Sequence, residues 1–145
     1  MLDNIFAPYA DWGLLVLRLA LGLIFPFHGW MKANPKGPVG GVQGFIGWLT
    51  QMRVPLPGVF GWIVVLLETV GAVLLAVGLG TRILALGFAI DMLVAIVLVK
   101  RGMAHKRLME PDGTGWEFEF ALMAAALALV FTGGGGLSLD RALGL

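Results

Sequence analysis

The chain has 145 residues, of which 59% are hydrophobic and 13% charged, and its formal net charge is +1. With a mean hydropathy of +0.91, it carries more apolar surface than one small soluble core can bury, so lipid must be part of its solvent. The near-neutral charge, with no basic stripe beside aromatics, excludes a nucleic-acid footprint. The absence of cysteine excludes a disulfide, a thiol relay, a thiolate zinc site and a Cys-ligated iron-sulfur cluster built from this chain alone.

In chain order, the start MLDNIFAPYADWG is acidic and lacks the positive stretch of a secretory leader. The apolar run behind it is too long for a cleaved one, so it is expected to stay as the first span. Four stretches then read as membrane helices, over residues 11–31, 57–79, 81–99 and 115–132. A Gly80-Thr81-Arg82 turn makes the second and third antiparallel neighbours. The prediction is an all-α membrane protein: one domain over residues 1–145, a four-transmembrane-helix antiparallel bundle. Between helices one and two, Val42, Phe45, Ile46, Trp48 and Leu49 sit at the spacing of an amphipathic interfacial helix. Lys32, Lys36, Arg53, Lys100, Arg101, Lys106 and Arg107 flank the loops after helices one and three, against Arg82 and Arg141 at the other end. The positive-inside rule therefore directs both termini outward.

An ionisable residue inside such a helix costs about 2.5–3.5 kcal/mol on insertion scales, so each needs a partner, a cavity or a function. Arg18, Glu68 and Asp91 fall toward the midplane, and an arginine is long enough to reach a carboxylate there; a buried Arg18, Glu68, Asp91 ion cluster is the expectation. It serves either as structural glue between helices or as a polar core that holds a ligand or relays protons. His28 and Lys32 lie one turn apart at the level where helix four begins with Glu117, which predicts a second polar cluster behind the kink at Pro26. Two readings stand for it: Lys32 and Glu117 snorkel to water while His28 satisfies a carbonyl, or His28 donates to a ligand carbonyl while Lys32 and Glu117 handle charge and protons. A bis-histidine haem would need His105, which lies in a loop, and no metal-ligand spacing is present. Trp30, Trp48, Trp62 and Trp116 read as interfacial anchors.

The segment Arg18-Leu-Ala-Leu-Gly-Leu-Ile-Phe-Pro-Phe-His28-Gly-Trp-Met-Lys32 resembles the opening helix of the DoxX family. Glu68-Thr-Val-Gly through Arg82, and Gly115-Trp-Glu117 with Gly133–Gly136 and Leu-Ser138-Leu-Asp140, resemble its second helix and its last helix and exit. The charged Asp91 and Glu119 depart from the family pattern. The resemblance implies a bacterial or archaeal cytoplasmic (inner) membrane protein associated with redox systems, with a membrane quinone as its ligand. His28, Lys32, Glu68 and Glu117 are then the candidate ligand-binding residues. The electron donor would be a partner protein or another cofactor, and the expected partners are a redox protein, a larger membrane complex, or further copies of the chain in a homo-oligomer. A non-catalytic accessory subunit packed against a respiratory or photosynthetic complex is the alternative; a proton-coupled carrier using Glu68 and Asp91 lacks the inverted repeat expected of one.

Overall fold

The computed structural model describes residues 2–145, and among these there is no strand. A short helix α1 (Leu2–Phe6) leads into α2 (Ala10–Ala33). Helix α3 (Gly41–Gln51) follows, then α4 (Pro57–Leu66), which continues through a π-helical stretch, Leu67–Gly71, into α5 (Ala72–Val77). Helix α6 (Thr81–Val94) runs on into a second π-helical stretch, Ala95–Met103, before α7 (Glu117–Thr132) and a short α8 (Leu139–Leu143). Three continuous helices, Ala7–Ala33, Pro57–Val77 and Thr81–Met103, are long and apolar enough to cross a membrane. At about 1.5 Å per residue they measure roughly 40, 31 and 34 Å, against a hydrocarbon core of about 30 Å.

Burial recurs every three or four residues, as one inward stripe per helix requires. In α2 it falls on Arg18, Leu21, Phe25 and Gly29, in α6 on Thr81, Ala85, Phe88, Ala89 and Met92, and in α7 on Leu122, Ala126 and Leu129. The stripes meet in one core, where the Phe25 and Phe88 rings stack with centroids 4.1 Å apart. Helix α2 packs on α5, α5 on α6, α6 on α7 and α7 back on α2, so the four layers close into a ring. The outward faces are apolar: Val16, Leu23, Phe27, Val70, Val73, Ile83 and Ile90 are all exposed. That arrangement is stable only where the surroundings are apolar too. The loop helix α3 turns Gly41, Phe45 and Leu49 inward against α2 and α4 and forms a second small core with Val65.

At the end of the bundle that carries the termini, the segment after α7 folds back over the helix ends and satisfies their free backbone groups. Arg18 has no exposed surface; its Nη1 donates to the Ala76 carbonyl at 3.0 Å and its Nη2 to the Leu137 carbonyl at 2.7 Å. This corrects the expectation that Arg18 pairs with Glu68 and Asp91. Carbonyls at the C-terminus of α5, where the helix dipole is negative, and in the returning segment lie closer to the guanidinium than the carboxylates do. Gly78, at φ +76°, ends α5 beside it, and a Cβ there would collide with the guanidinium. Asp140 accepts from the amides of Gly80 at 2.6 Å and Thr81 at 2.8 Å, capping α6, and Asp11 accepts from Gly136 at 2.7 Å.

Partial burial pushes the Asp140 carboxyl up, but the bonds from Thr81 and Gly80 and the Arg18 charge outweigh it and hold the group below the ordinary carboxylate range. Its contribution is therefore full above the unfolded value of about 3.9 and is lost as pH falls through the lower folded value. Asp140→Ala should cost about 1 kcal/mol at pH 7. In detergent unfolding curves run across pH, its gap from wild type should narrow only below about pH 4.

Candidate functional site

The opposite end of the bundle, where the long loops lie, is built around a buried carboxylate. Glu68 sits in the π-helical stretch Leu67–Gly71 and is 1% exposed. π-Helical turns inside α-helices are frequent at functional sites. The Lys32 ammonium, from the last turn of α2, reaches back one turn to form an ion pair with Glu68 Oε2. Close approach of the two helices makes this possible: a Cβ added at Gly29 would lie 2.7 Å from Thr69 Cγ2 and 2.9 Å from the Glu68 backbone carbon. Any side chain at residue 29 would push the helices apart.

Asp91 lies on the neighbouring span, in α6, and is partly buried. Its Oδ2 is enclosed without a donor. The His28 ring lies 6.4 Å from that of Phe118, on the α7 side of α2, where the residue is exposed. Lys100 Nζ binds Glu119 at 3.2 Å and the Gly115 carbonyl at 2.9 Å, closing the start of α7. Two ion pairs, Lys32 with Glu68 and Lys100 with Glu119, thus stand at this end of the bundle, with Asp91 Oδ2 enclosed on α6.

The two polar levels expected from sequence are therefore regrouped. Glu68 pairs with Lys32 rather than with Arg18. Glu117, expected beside His28 and Lys32, instead folds over Gly115, and its Oε2 is buried without a partner. Glu119, two residues on, forms an ion pair with Lys100.

Two cavities open on this end. One, of about 380 Å³, is lined by Lys32, Pro38, Val39, Gly44, Phe45 and Trp48. The Phe45 and Trp48 rings stack at 5.8 Å, and Lys32 Nζ stands 5.5 Å from the Phe45 centroid. The other, a shallow apolar groove of about 470 Å³, lies between α2 and the second span and is lined by Pro26, Phe27, Trp30, Thr69, Val70 and Val73. Neither His28 nor Glu117 lines either cavity. Sequence reading took Phe45 and Trp48 for membrane anchors alone; their pairing with Lys32 depends on how α3 docks, which no local pattern records.

A buried ion pair destabilises strongly when one member is removed, because the survivor is left uncompensated. Lys32→Met should lower stability by about 3 kcal/mol. Adding Glu68→Gln to Lys32→Met should recover most of that, giving a favourable coupling of about 1–3 kcal/mol in a double-mutant cycle of detergent unfolding. Additive single effects would show that the two side chains do not pair.

The DoxX family model matches residues 13–101, which include most of α2, all of α3 and the second span, and nearly all of the third. The chain is 34% identical over 128 residues to a Bacillus subtilis (strain 168) protein named "Putative oxidoreductase CatD", covering 88% of this chain and 84% of that protein. It is 30% identical over 145 aligned positions to "Inner membrane protein YphA" of Escherichia coli (strain K12), covering 92% and 96%. No solved structure matches. The chain, an all-helical membrane protein with spans at Ala7–Ala33, Pro57–Val77 and Thr81–Met103, belongs to the DoxX family.

Proposed function

We propose that this protein is a quinone-interacting subunit of a membrane redox system, and that the quinone head group binds in the cavity between α2 and α3. The observation that carries this is the position of Lys32, whose ammonium is tied to a buried carboxylate and at the same time lines an aromatic-walled cavity. The residues fit such a ligand. Lys32 has three N–H donors and spends one on Glu68, leaving others for a ring carbonyl. The stacked Phe45 and Trp48 rings offer a flat apolar wall. The volume of about 380 Å³ lies within the range of small-ligand sites.

A bound quinone would supply a carrier of two electrons and two protons. This chain's residues bind and orient it: Lys32 fixes one carbonyl, α3 shields the ring from water, and Glu68 stands behind Lys32 to hold or release a proton. The electrons come from a partner redox protein or a larger membrane complex. The naming of a relative as an oxidoreductase agrees with this reading.

The same proposal places the chain in the cytoplasmic membrane with four crossings and α3 at the interface. Asp11, at the start of the first span, binds the amide of Gly136, just after α7. This contact brings the segment after α7 to the start of the first span, which supports a fourth crossing. Helix α7, 16 residues long, is the segment that makes it. With the basic loops inside, both termini face outward.

Topology and ligand can be tested separately, and the lack of native cysteine makes the first direct. An impermeant maleimide added to spheroplasts should label Leu145→Cys and not Met109→Cys; labelling of both from outside would remove the fourth crossing. For the ligand, decylubiquinone added to the purified protein should quench tryptophan fluorescence, and Trp48→Phe should lose much of that quenching. Lys32→Met should raise the apparent Kd about tenfold, which corresponds to about 1.4 kcal/mol for the lost bond. Equal quenching in all three proteins would favour the accessory-subunit reading.

A further inference from the structure

The loop after the third span is held in shape by its own backbone bonds and presents cations and apolar side chains together. The chain leaves the span at Met103 and turns at His105, in the left-handed region at φ +51°, where the Lys106 amide donates to the Lys100 carbonyl at 2.8 Å. Farther on, the Leu108 carbonyl accepts from the amides of Trp116 at 3.1 Å and Glu117 at 3.0 Å, and so satisfies free donors at the start of α7. Met103 and Leu108 therefore both stand at helix ends on this face of the bundle. The third span is longer than a hydrocarbon core of about 30 Å, so its last turn, with Lys100, Arg101 and Met103, reaches the boundary with the lipid head groups. Leu108, Met103 and Met109 are 41%, 54% and 73% exposed there.

Lys100, Arg101, Lys106 and Arg107 put four cations into eight positions. Two of them are engaged, Lys100 with Glu119 at 3.2 Å and Lys106 with Asp112 at 3.5 Å. The acids of the loop are taken up as well: Asp112 also accepts from the amide and hydroxyl of Thr114, and Glu110 accepts from the Arg107 amide at 2.8 Å. Arg101 and Arg107 are exposed, and neither guanidinium is in an ion pair among the described residues. A guanidinium fork matches two phosphate oxygens, and a cluster of about four Lys or Arg beside a span attracts anionic lipid. An acidic protein answers the charges alone. A lipid surface answers the charges and the apolar side chains at once, and it already surrounds the end of the span.

We propose that the loop over residues 100–109 is a docking surface for anionic phospholipid, with Arg101 and Arg107 on the head-group phosphates and Met103, Leu108 and Met109 in the boundary beneath them. This surface depends neither on the quinone reading nor on which way the termini face.

Because the chain has no cysteine, a nitrobenzoxadiazole fluorophore on Met109→Cys gives a single probe of the loop. The labelled protein is placed in nanodiscs of phosphatidylcholine alone, or with about 30 mol% phosphatidylglycerol, with no quinone added. Both faces of such a disc carry the same head groups, so orientation does not enter. Emission should be bluer and about twofold brighter in the anionic discs. The difference should vanish in about 1 M salt, where charges are screened within about 3 Å. Arg101→Gln with Arg107→Gln should abolish it, with a detergent unfolding curve that overlays the parent's, and Arg101→Lys with Arg107→Lys should keep at least half of it. Equal emission in both discs, or an undiminished difference in the glutamine pair, overturns the proposal. Brightening on addition of polyglutamate to phosphatidylcholine discs, without a response to phosphatidylglycerol, overturns it in favour of an acidic protein partner.

Discussion

A bundle whose exterior is apolar cannot send its charges to water, so every ionised group inside it must be answered by the protein itself. This constraint shapes both ends of the molecule, and they answer it differently. At the terminal end Arg18 meets neutral carbonyls, those of Ala76 and Leu137, with Asp140 close enough to lend a counter-charge. Its bonds join the first span, the end of the second and the segment after α7, while Asp140 adds the start of the third. One buried guanidinium and one carboxylate therefore fasten three spans and the segment after α7, beside the bonds of Asp11 to Gly136 and of Arg82 to the Val130 and Phe131 carbonyls.

The loop end solves the same problem with ion pairs. Lys32 answers Glu68 and Lys100 answers Glu119. Even so, Asp91 Oδ2, Glu117 Oε2 and Glu119 Oε2 remain buried without donors. Unanswered acceptors cost about 1–3 kcal/mol each when neutral and more when charged. At the terminal end Arg18 Nε and Thr81 Oγ1 are likewise buried without a partner, so the two ends differ in kind: a guanidinium nitrogen and a hydroxyl at one, carboxyl oxygens at the other.

Much of this was legible in the sequence, and the illegible part has a physical cause. Apolar length gave the spans to within a few residues, because hydrocarbon thickness fixes it. Helical period puts Arg18, Gly22, His28, Gly29 and Lys32 on one stripe of α2; Arg18 and Gly29 are buried there, whereas His28 is exposed. The partner of Arg18 did not, because backbone carbonyls exist at every residue and carry no sequence signature; Ala76 and Leu137 are chosen by where α5 ends and where the returning segment lies. The cap on α6 had a visible signal, the aspartate of Gly-Gly-Leu-Ser-Leu-Asp140 after four glycines, but its target 59 or 60 residues upstream did not. The π-helical turn at Glu68 was equally hidden, since an added residue per turn changes direction without changing composition.

That turn also explains why Lys32 serves the cavity as well as the ion pair. Glu68 stands near the middle of the second span, about 16 Å from its start at Pro57, while Lys32 belongs to the last turn of α2. They meet because residue 29 is glycine and the helices touch there, letting a long lysine climb back toward the carboxylate. The climb draws the ammonium off the surface and beneath α3, so that it borders the Phe45 and Trp48 wall instead of hydrating freely. An arginine at residue 32 would bring a planar fork too broad for a single carboxylate oxygen at the end of that climb, and a shorter side chain would not reach. The length of lysine, the absence of a side chain at Gly29 and the wide turn at Glu68 are thus one arrangement, which places a cation at the boundary between the buried carboxylate and the cavity.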